Sequence, residues 1–416
     1  MRVPFGPFVL TLDDITRQFR WTLEQFTDPR QGKNTRYTLV DAGLSAFSVF
    51  LMQSPSFLEY QRRLEQVHGT SNAQTRFGVH QIPSDNHIRH LLDATPPSQV
   101  TPLFSYRFEA LNPAGVIDRY RTVNQTLLLV CDGTEYFSAP AIPCPQCSSR
   151  HHANGTVPYS HTALPPVRVK PGLDKVLPLA PEFVRPQDGA EKQDCELNAA
   201  TRWLADHGDY YSALGITGLG DDLYCHEPFG RELLPQGMDF ILVCPPASHP
   251  LVYEWLDFLD RGGAVRTVVR RRWSGQRREI DPYRYATSIL LRDGDDALLV
   301  NWCQLTTPDE SGKVLYHHTC ATFLPLDDQG VVKVVEAGRS RWKIEIVVPV
   351  YNEAATIIPF FTTINQTLSS LSDYQFEFIC VNDGSTDDTL NHLINASQND
   401  PRVIVVDLSR KVTSEK

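Results

Sequence analysis

The sequence predicts an α/β protein, and three patterns along the chain carry this prediction. From residue 124 onward, short apolar runs typical of buried strands alternate with longer segments whose spacing is typical of helices. The segment 264–330 is instead rich in Val, Thr and Tyr and is broken by turn sequences, which predicts a β insertion. A second strand–helix alternation starts at Ile344 and predicts a β-α-β-α-β unit.

The composition is that of a globular protein with two to three domains. The chain has 416 residues, of which 41% are hydrophobic and 21% charged. No apolar run approaches the roughly 18–20 residues that span a bilayer, and the N-terminus lacks the apolar core of a signal peptide. We therefore expect a cytoplasmic protein without a membrane segment. The nine cysteines are scattered and odd in number, which favours reduced core thiols over disulfides.

Residues 1–115 are predicted to form a helical N-terminal region. The segments 12–26 and 54–67 place apolar residues at intervals of three and four, and Ser84 or Asp85 could cap a third helix. Such helices could contact DNA or pack on the next domain, and packing is the default expectation.

Residues 116–263 are predicted to form the α/β core. The apolar run 125–139 predicts a buried strand that ends at an acidic residue. Further predictions are extended segments over 157–169 and 175–184, a helix over 189–208, and strands over 211–225 and 238–248. After the β insertion, residues 331–345 are predicted to return to the core through a helix.

Acidic residues at the ends of the predicted strands form the first candidate site. Asp132 ends one strand, and Asp221 and Asp222 end another. Carboxylates at neighbouring strand ends can hold two divalent metal ions about 3.5–4 Å apart and promote phosphodiester chemistry. Glu345, beyond the β insertion, is the candidate third acid. These residues predict a site for Mg²⁺ or Mn²⁺.

This arrangement resembles the DDE transposases of bacterial insertion sequences, whose core has an RNase H-like fold. The resemblance rests on "CDGTEYF", "GLGDDLYC" and "GRSRWKIE", and it covers roughly residues 1–345. It implies metal-dependent DNA cleavage and strand transfer. Asp132, Asp221 and Glu345 would be the catalytic metal ligands, and Arg341 would lie near the phosphates.

The motifs match the transposase pattern in part. Asp221 is favoured over Asp222 because the family pattern is Asp-x-x-Tyr and Tyr224 fits that spacing, which leaves Asp222 to cap a helix or contact solvent. The family's Glu lies in a helix that continues to a Lys. Here β-branched residues follow Glu345 and oppose a helix. We therefore expect a strand at Glu345 and a reduced or lost transposase activity.

An arginine-rich segment inside the β insertion is a candidate DNA contact. The net charge of the chain is −10, so DNA binding would depend on such a local patch. An exposed strand pair with solvated charges explains the segment equally well. Its arginines are Arg266, Arg270, Arg271, Arg272, Arg277 and Arg278.

A cysteine and histidine cluster is a candidate structural zinc site. Cys144 and Cys147 form a Cys-x2-Cys pair, and His151 and His161 follow it. Thiolate and imidazole both suit tetrahedral Zn²⁺. The alternative is a loop with reduced thiols and exposed histidines.

The last segment resembles a second enzyme family. "IVVPVYNE" and "VNDGSTDDT" are similar to the opening motifs of family-two glycosyltransferases, which have a Rossmann-like nucleotide-sugar domain, over about residues 343–410. The resemblance implies that Pro349, Tyr351, Glu353 and Asp383 line a pocket for a donor such as a UDP-sugar. The metal motif and the base of that family would follow later, so we expect residues 346–416 to be a truncated fragment.

The sequence as a whole therefore predicts a chimera. An RNase H-like core with an N-terminal helical region and a β insertion would be followed by a partial Rossmann-like fragment, joined near Ile344. The expected ancestral activity is DNA transposition, impaired by the fusion. The alternatives are a glycosyltransferase fragment without its metal motif and base, and a non-enzymatic DNA-binding remnant. Expected partners are DNA, at the element ends and the target, and a UDP-sugar, with a homodimer and a monomer both left open.

Overall fold

The protein is described by a computed structural model that covers most of the chain. The described residues are 11–28, 30, 36–51, 77–79, 82–93, 95–113, 115–140, 144, 146–150, 155–173, 175–186, 193–274, 277–308, 314–339, 343–368, 375–382, 385–400 and 402–407. Side chains are not described for a few further residues within the strands, including 272–274 and 277–279.

Helices and strands alternate over most of these residues. The α-helices are α1 (Leu12–Glu24), α2 (Leu39–Leu51), α3 (Asp85–Leu92), α4 (Thr101–Leu111), α5 (Glu196–Ser212), α6 (Glu227–Leu233), α7 (Pro250–Arg261), α8 (Gly330–Gly338), α9 (Ile357–Leu368) and α10 (Thr389–Asn399). None of these described helices is long and apolar enough to cross a membrane.

The strands fall into three sheets. They are β1 (Leu127–Val130), β2 (Thr134–Ala139), β3 (Ser148–Ser149), β4 (Tyr159–Leu164), β5 (Val167–Val169), β6 (Leu177–Pro178), β7 (Glu182–Phe183), β8 (Ile216–Gly220), β9 (Asp239–Val243), β10 (Arg266–Ser274), β11 (Arg277–Leu290), β12 (Leu299–Pro308), β13 (Val314–Thr322), β14 (Lys343–Val350), β15 (Gln375–Asn382) and β16 (Val403–Asp407).

The chain divides into two compact units, and the first of them is helical. This unit comprises Met1–Tyr120 with Pro178–Pro181. Helix α1 begins at a capping box, in which Thr11 and Asp14 satisfy each other's backbone N–H groups. Helices α1, α2 and α3 share an apolar core that includes the buried Leu44 and Phe77. The helix predicted over 54–67 lies outside the described residues.

The second unit, Arg121–Leu177 with Glu182–Lys416, contains a nine-stranded mixed sheet. Its strand order is β10-β11-β12-β13-β9-β8-β1-β5-β6, and β1, β8 and β9 are parallel to one another. The structure is thus a mixed α/β protein, as predicted at that level. The four strands of the predicted β insertion continue the same sheet, because β13 pairs antiparallel with β9.

The core of this sheet explains why its sequence is so apolar. All four residues of β1 are buried, as expected for a central strand with neighbours on both sides. Helix α8 covers one face with Val331, Val334 and Val335, which are fully buried. Helix α5 begins at Glu196, later than the predicted residue 189, because Cys195 adopts an extended backbone conformation and ends the loop there.

The segment that joins the two family resemblances folds as a strand. Helix α8 ends at Gly338, and β14 begins at Lys343, so Glu345 lies in a strand as expected. Strand β14 belongs to a separate parallel sheet of order β14-β15-β16. The predicted β-α-β-α-β unit is therefore formed by β14, α9, β15, α10 and β16.

One face of this small sheet packs against a hydrophobic core of its own. Val350, Phe378, Cys380 and Val403 are buried there with Leu393 of α10. The ring of Phe378 is fully buried and meets the ring of Phe361 edge-on, with 5.6 Å between centroids. Ile404 and Val406 of the edge strand β16 each remain 37% exposed.

Truncation of this ring tests whether the small sheet depends on its packed face. We expect Phe378→Ala to lower the free energy of unfolding of residues 343–407 by about 3–5 kcal/mol, since it leaves a cavity in a small core. Hydrogen exchange by mass spectrometry should accelerate in β14, β15 and β16 and remain unchanged in β8 and β9. Ile404→Ala, on the more exposed side, is the control. Equal acceleration in both variants would contradict this packing.

Candidate functional site

Two acidic residues lie at the carboxyl edge of the nine-stranded sheet. Strands β1 and β8 are parallel, with Val130 opposite Leu219, and the Cys131 N–H donates to the Leu219 carbonyl at 3.0 Å. Asp132 and Asp221 each follow two positions later. The register therefore places them beside each other at the edge where α/β sheets bind ligands.

Asp221 also shapes the turn that follows β8. Its Oδ1 accepts a hydrogen bond from the Leu223 N–H at 2.9 Å and so caps the short helix Asp222–Tyr224. A Cβ at Gly220 would lie 2.8 Å from the Leu242 side chain and 2.9 Å from Tyr224, so the chain needs glycine here. The turn thus fixes the backbone of Asp221 at the strand end.

A third carboxylate at this edge, Glu196, was missed by the sequence prediction. Its Oε1 accepts hydrogen bonds from the Gly133 N–H at 2.7 Å and from the Tyr224 hydroxyl at 2.5 Å. Burial raises the pKa of Tyr224 far above its usual range, and the neighbouring Cys131 and the carboxylate of Glu196 add to this effect. Glu196 therefore joins the residue after Asp132 to the turn after Asp221.

The sequence contained two signals for this carboxylate. Glu196 is the first residue of α5, where an acidic side chain favours the positive end of the helix dipole. Gly133 follows the first acid directly, and a Cβ there would lie 2.1 Å from Glu196 Oε2. An acidic helix start after the predicted strands could thus have been placed at this edge, although its distance from Asp132 along the chain hides the contact.

Asp222 has a different role from the expected cap or solvent contact. Its Oδ1 lies 2.8 Å from Nε2 of the buried His249, and its Oδ2 accepts from the Ser248 hydroxyl. Burial lowers the pKa of His249, although the Asp222 carboxylate acts in the opposite direction. Asp222 thus connects the loop after β8 to the loop after β9.

The proposed third acid of the transposase motif is not at this edge in the backbone. Glu345 lies in β14 of the three-stranded sheet, and its side chain is outside the described residues. Arg341 also lies outside them. The assignment of both residues to a metal site therefore stays a prediction, whereas Glu196 joins the residue after Asp132 to the turn after Asp221.

The arginine-rich segment forms the hairpin of β10 and β11. Arg266, Arg270 and Arg271 are exposed. Arg272, Arg277 and Arg278 lie in the same two strands, but their side chains are not described. Acidic residues stand directly opposite two of the arginines, Asp281 opposite Arg270 and Glu279 opposite Arg272. Asp281 is buried and accepts a hydrogen bond from the Thr307 hydroxyl at 2.7 Å.

Three of the four predicted zinc ligands come together. Cys144, Cys147 and His161 place their ligand atoms within 4.8 Å of one another. His151 lies outside the described residues.

The second candidate site is the carboxyl edge of β14 and β15, where the loops that follow the two strands lie together. Asn352, just beyond β14, has φ 54° in the left-handed region, which turns the chain sharply. Its N–H donates to Ser385 Oγ at 2.9 Å, and its Oδ1 accepts from the Thr386 N–H at 2.8 Å. The loops after β14 and β15 are thus held side by side.

A buried hydroxyl continues this connection. Thr389 Oγ1 accepts from the Glu353 N–H at 2.7 Å and donates to Asp387 Oδ1 at 2.5 Å. Asp387 Oδ2 accepts from the Ala354 N–H at 3.2 Å. The hydrogen bond from Thr389 holds the pKa of Asp387 below its usual range. The carboxylate therefore remains charged and serves the loop structure.

Position 382 has a structural reason to be Asn. The buried Asn382 donates from Nδ2 to Asp407 Oδ1 at 2.8 Å, across β15 and β16, and accepts from the Ser385 N–H at 3.2 Å. A carboxylate at this position could not donate and would repel Asp407. The amide thus joins the ends of both strands to the loop.

The four residues expected to bind a nucleotide are described unequally. Tyr351 is 47% exposed in the loop after β14. Glu353 is exposed, and its Oε2 accepts from the Thr356 hydroxyl at 2.6 Å. The side chain of Pro349 and all of Asp383 lie outside the described residues. A loop-lined crevice at the ends of parallel strands is the common position of nucleotide sites in α/β sheets.

Comparisons with known proteins find similarity in the segment that contains these loops. Residues 345–414 match the model of the glycosyl transferase family 2. The chain is also 38% identical over 73 residues to an uncharacterized glycosyltransferase of Synechocystis sp. (strain ATCC 27184 / PCC 6803 / Kazusa). That match covers 18% of this chain and 23% of the relative, so the chain spans less than a quarter of the relative's length.

The link between Glu196 and Tyr224 can be tested without any ligand. We expect Tyr224→Phe to lower the free energy of unfolding by about 1.5–3 kcal/mol, because it removes a hydrogen bond to a charged group in a buried position. Chemical denaturation would measure this, and a double-mutant cycle with Glu196→Gln would isolate the pairwise part. Tyr210→Phe, at an exposed position of α5, is the matched control. Purely additive losses in the cycle would argue against the contact.

Proposed function

We propose that residues 343–407 bind the nucleotide part of a nucleotide-sugar donor, in the manner of the first part of a family-two glycosyltransferase domain. The observation that carries this proposal is the family match over residues 345–414, which coincides with the sheet of β14, β15 and β16. The proposal is limited to donor binding, because the match covers 23% of the relative.

The loops after β14 and β15 offer the groups that such a ligand needs. Tyr351 presents an exposed aromatic ring on which a base can stack. By the resemblance, Asp383 accepts a hydrogen bond from the base or the ribose, and Pro349 and Glu353 line the same pocket. The hydrogen bonds of Asn352 and Thr389 keep the surrounding loops in place before binding, which reduces the entropy cost of association.

Donor binding can be measured by calorimetry with UDP-glucose and with UDP. We expect Tyr351→Ala to weaken binding about tenfold, which corresponds to about 1.4 kcal/mol of lost stacking. Asp383→Ala should weaken it as well. Tyr210→Ala is the control, because Tyr210 is also 47% exposed but lies on α5. The same affinity in the wild type, in Tyr351→Ala and in Asp383→Ala would refute the proposal.

A second candidate function is favoured by the register of β1 and β8, since Asp132 and Asp221 each lie two positions beyond the paired residues Val130 and Leu219. We propose that this edge binds Mg²⁺ or Mn²⁺, since carboxylate oxygens are the ligands that these ions prefer. The bound ions would supply an activated water or hydroxyl for phosphodiester cleavage. DNA would be the substrate by the transposase resemblance, with the β10–β11 hairpin as its contact surface.

On the same proposal, we expect the transposase activity to be impaired. Glu345, the family's third acid, is committed to the backbone pairing of β14 with β15, where it stands opposite Glu377. An RNase H-like assignment of the core is part of this proposal, supported by the parallel strands β1, β8 and β9 and by the acids that follow β1 and β8. A DNA-binding remnant without cleavage is the outcome that this arrangement favours.

Metal binding distinguishes the carboxyl edge of β1 and β8 with Asp132 and Asp221, called the acid edge below, from ordinary surface acids. We expect Mn²⁺ binding, followed by electron paramagnetic resonance, to weaken at least tenfold in Asp132→Asn and in Asp221→Asn, because each loses a ligand charge. Asp209→Asn, an exposed acid on α5, should bind like the wild type. A DNA nicking assay on the same samples separates a metal-binding remnant from an active nuclease. Mn²⁺ binding that is insensitive to both strand-end variants would exclude this site.

A further inference from the structure

Cys144, Cys147 and His161 converge at one end of the β2–β4–β3 sheet. The Cys147 N–H donates to the Cys144 carbonyl at 3.1 Å, which forms a tight turn before β3. Strand β3 is antiparallel to β4, with Ser148 opposite Ser160. The next pair outward is Cys147 and His161, so the pairing of two strands brings the turn and the imidazole together.

The ligand atoms have nearly the spacing of a metal site. His161 Nε2 lies 3.2 Å from the Sγ atoms of both Cys144 and Cys147, and the two Sγ atoms are 3.4 Å apart. Tetrahedral zinc, with Zn–S of about 2.3 Å and Zn–N of about 2.0–2.1 Å, separates its ligand atoms by roughly 3.5–3.8 Å. Three corners of a tetrahedron are therefore formed to within a few tenths of an ångström. A disulfide, at about 2.05 Å, would need a much shorter approach.

The backbone around the cysteines directs N–H groups at both sulfurs. The Cys144 N–H donates to Cys147 Sγ at 3.3 Å, and the Gln146 N–H donates to Cys144 Sγ at 3.4 Å. Hydrogen bonds of this kind from outside the ligand set orient metal ligands. The turn thus supplies one N–H donor to each sulfur.

Aromatic side chains fix the third ligand. The ring of His161 lies between those of Tyr136 and Phe137 of β2, with centroid distances of 5.7 and 5.4 Å. Such contacts restrict the orientation of the imidazole. Cys147 is buried, whereas Cys144 is exposed, so the site is open toward solvent on the side of Cys144.

We propose that Cys144, Cys147 and His161 bind one Zn²⁺ ion and supply three of its four ligands. Binding releases the two thiol protons, and the ion joins the turn before β3 to β4. Strand β2 pairs with β4 and begins at Thr134, two residues after Asp132. The zinc therefore stabilises the small sheet that continues directly from the acid edge and has a structural role.

A second thiol cluster in the chain is an internal competitor. Cys225, Cys244 and His249 also have ligand atoms within 4.8 Å of one another. His249 Nε2, however, lies 2.8 Å from Asp222 Oδ1 and already has a partner. All three residues are buried, which opposes the entry of an ion. The first cluster is the better site on both counts.

The test measures metal binding by the full chain with zinc and with cobalt as a spectroscopic probe. We expect about one zinc per chain by elemental analysis. Co²⁺ should give thiolate charge-transfer absorption and the intense visible bands of a tetrahedral site, which Zn²⁺ then abolishes. Cys144→Ser and His161→Gln should weaken binding at least tenfold, while His161→Cys should retain it with an added thiolate band. Circular dichroism would confirm that each variant is folded.

Two control variants decide the location. Cys195→Ser removes an exposed cysteine of the loop before α5, and Cys244→Ala disables the competing cluster. Both should bind zinc like the wild type. The proposal is overturned if zinc remains in Cys144→Ser and His161→Gln, if it is lost in Cys244→Ala alone, or if the protein binds no zinc and carries a Cys144–Cys147 disulfide.

Discussion

The parallel pairing of β14 with β15 fixes the backbone conformation at the point where the transposase and glycosyltransferase resemblances join. It begins at Lys343 and includes Glu345, so the backbone there cannot also extend helix α8. The β-branched residues that follow stabilise the strand and oppose a helix. The strand conformation thus completes the sheet of β14, β15 and β16. It also means that Glu345, the third acid of the transposase motif, does not lie in a helix.

The acid edge does not depend on that choice, because other contacts hold it together. Glu196 connects Gly133 to Tyr224, and Asp222 connects the loop after β8 to His249. These hydrogen bonds link three parallel strand ends that are far apart in the sequence. An edge organised in this way keeps Asp132 and its neighbours in place whether or not a third metal ligand is supplied from beyond residue 340.

Local patterns predicted most of the elements, and long-range contacts account for what they missed. The apolar run of β1 and the two acids at strand ends could be read from the sequence, because each depends on neighbouring residues. Glu196 and the partnership of Asp222 with His249 could not, since they join positions 63 and 27 residues apart. The continuity of β10–β13 with the main sheet was missed for the same reason, because it rests on the single pairing of β13 with β9.

Both candidate sites lie at the carboxyl ends of parallel strands, yet their loops suit different ligands. At the nine-stranded sheet, carboxylates project from the strand ends, and negative charge favours a cation. At the small sheet, the acids Asp387 and Asp407 are already engaged by Thr389 and Asn382, so their charges stabilise the loops. The ring of Tyr351 is 47% exposed there, and an aromatic ring suits a flat base as its ligand. The proposed cation site and the proposed nucleotide site thus follow the same topological rule.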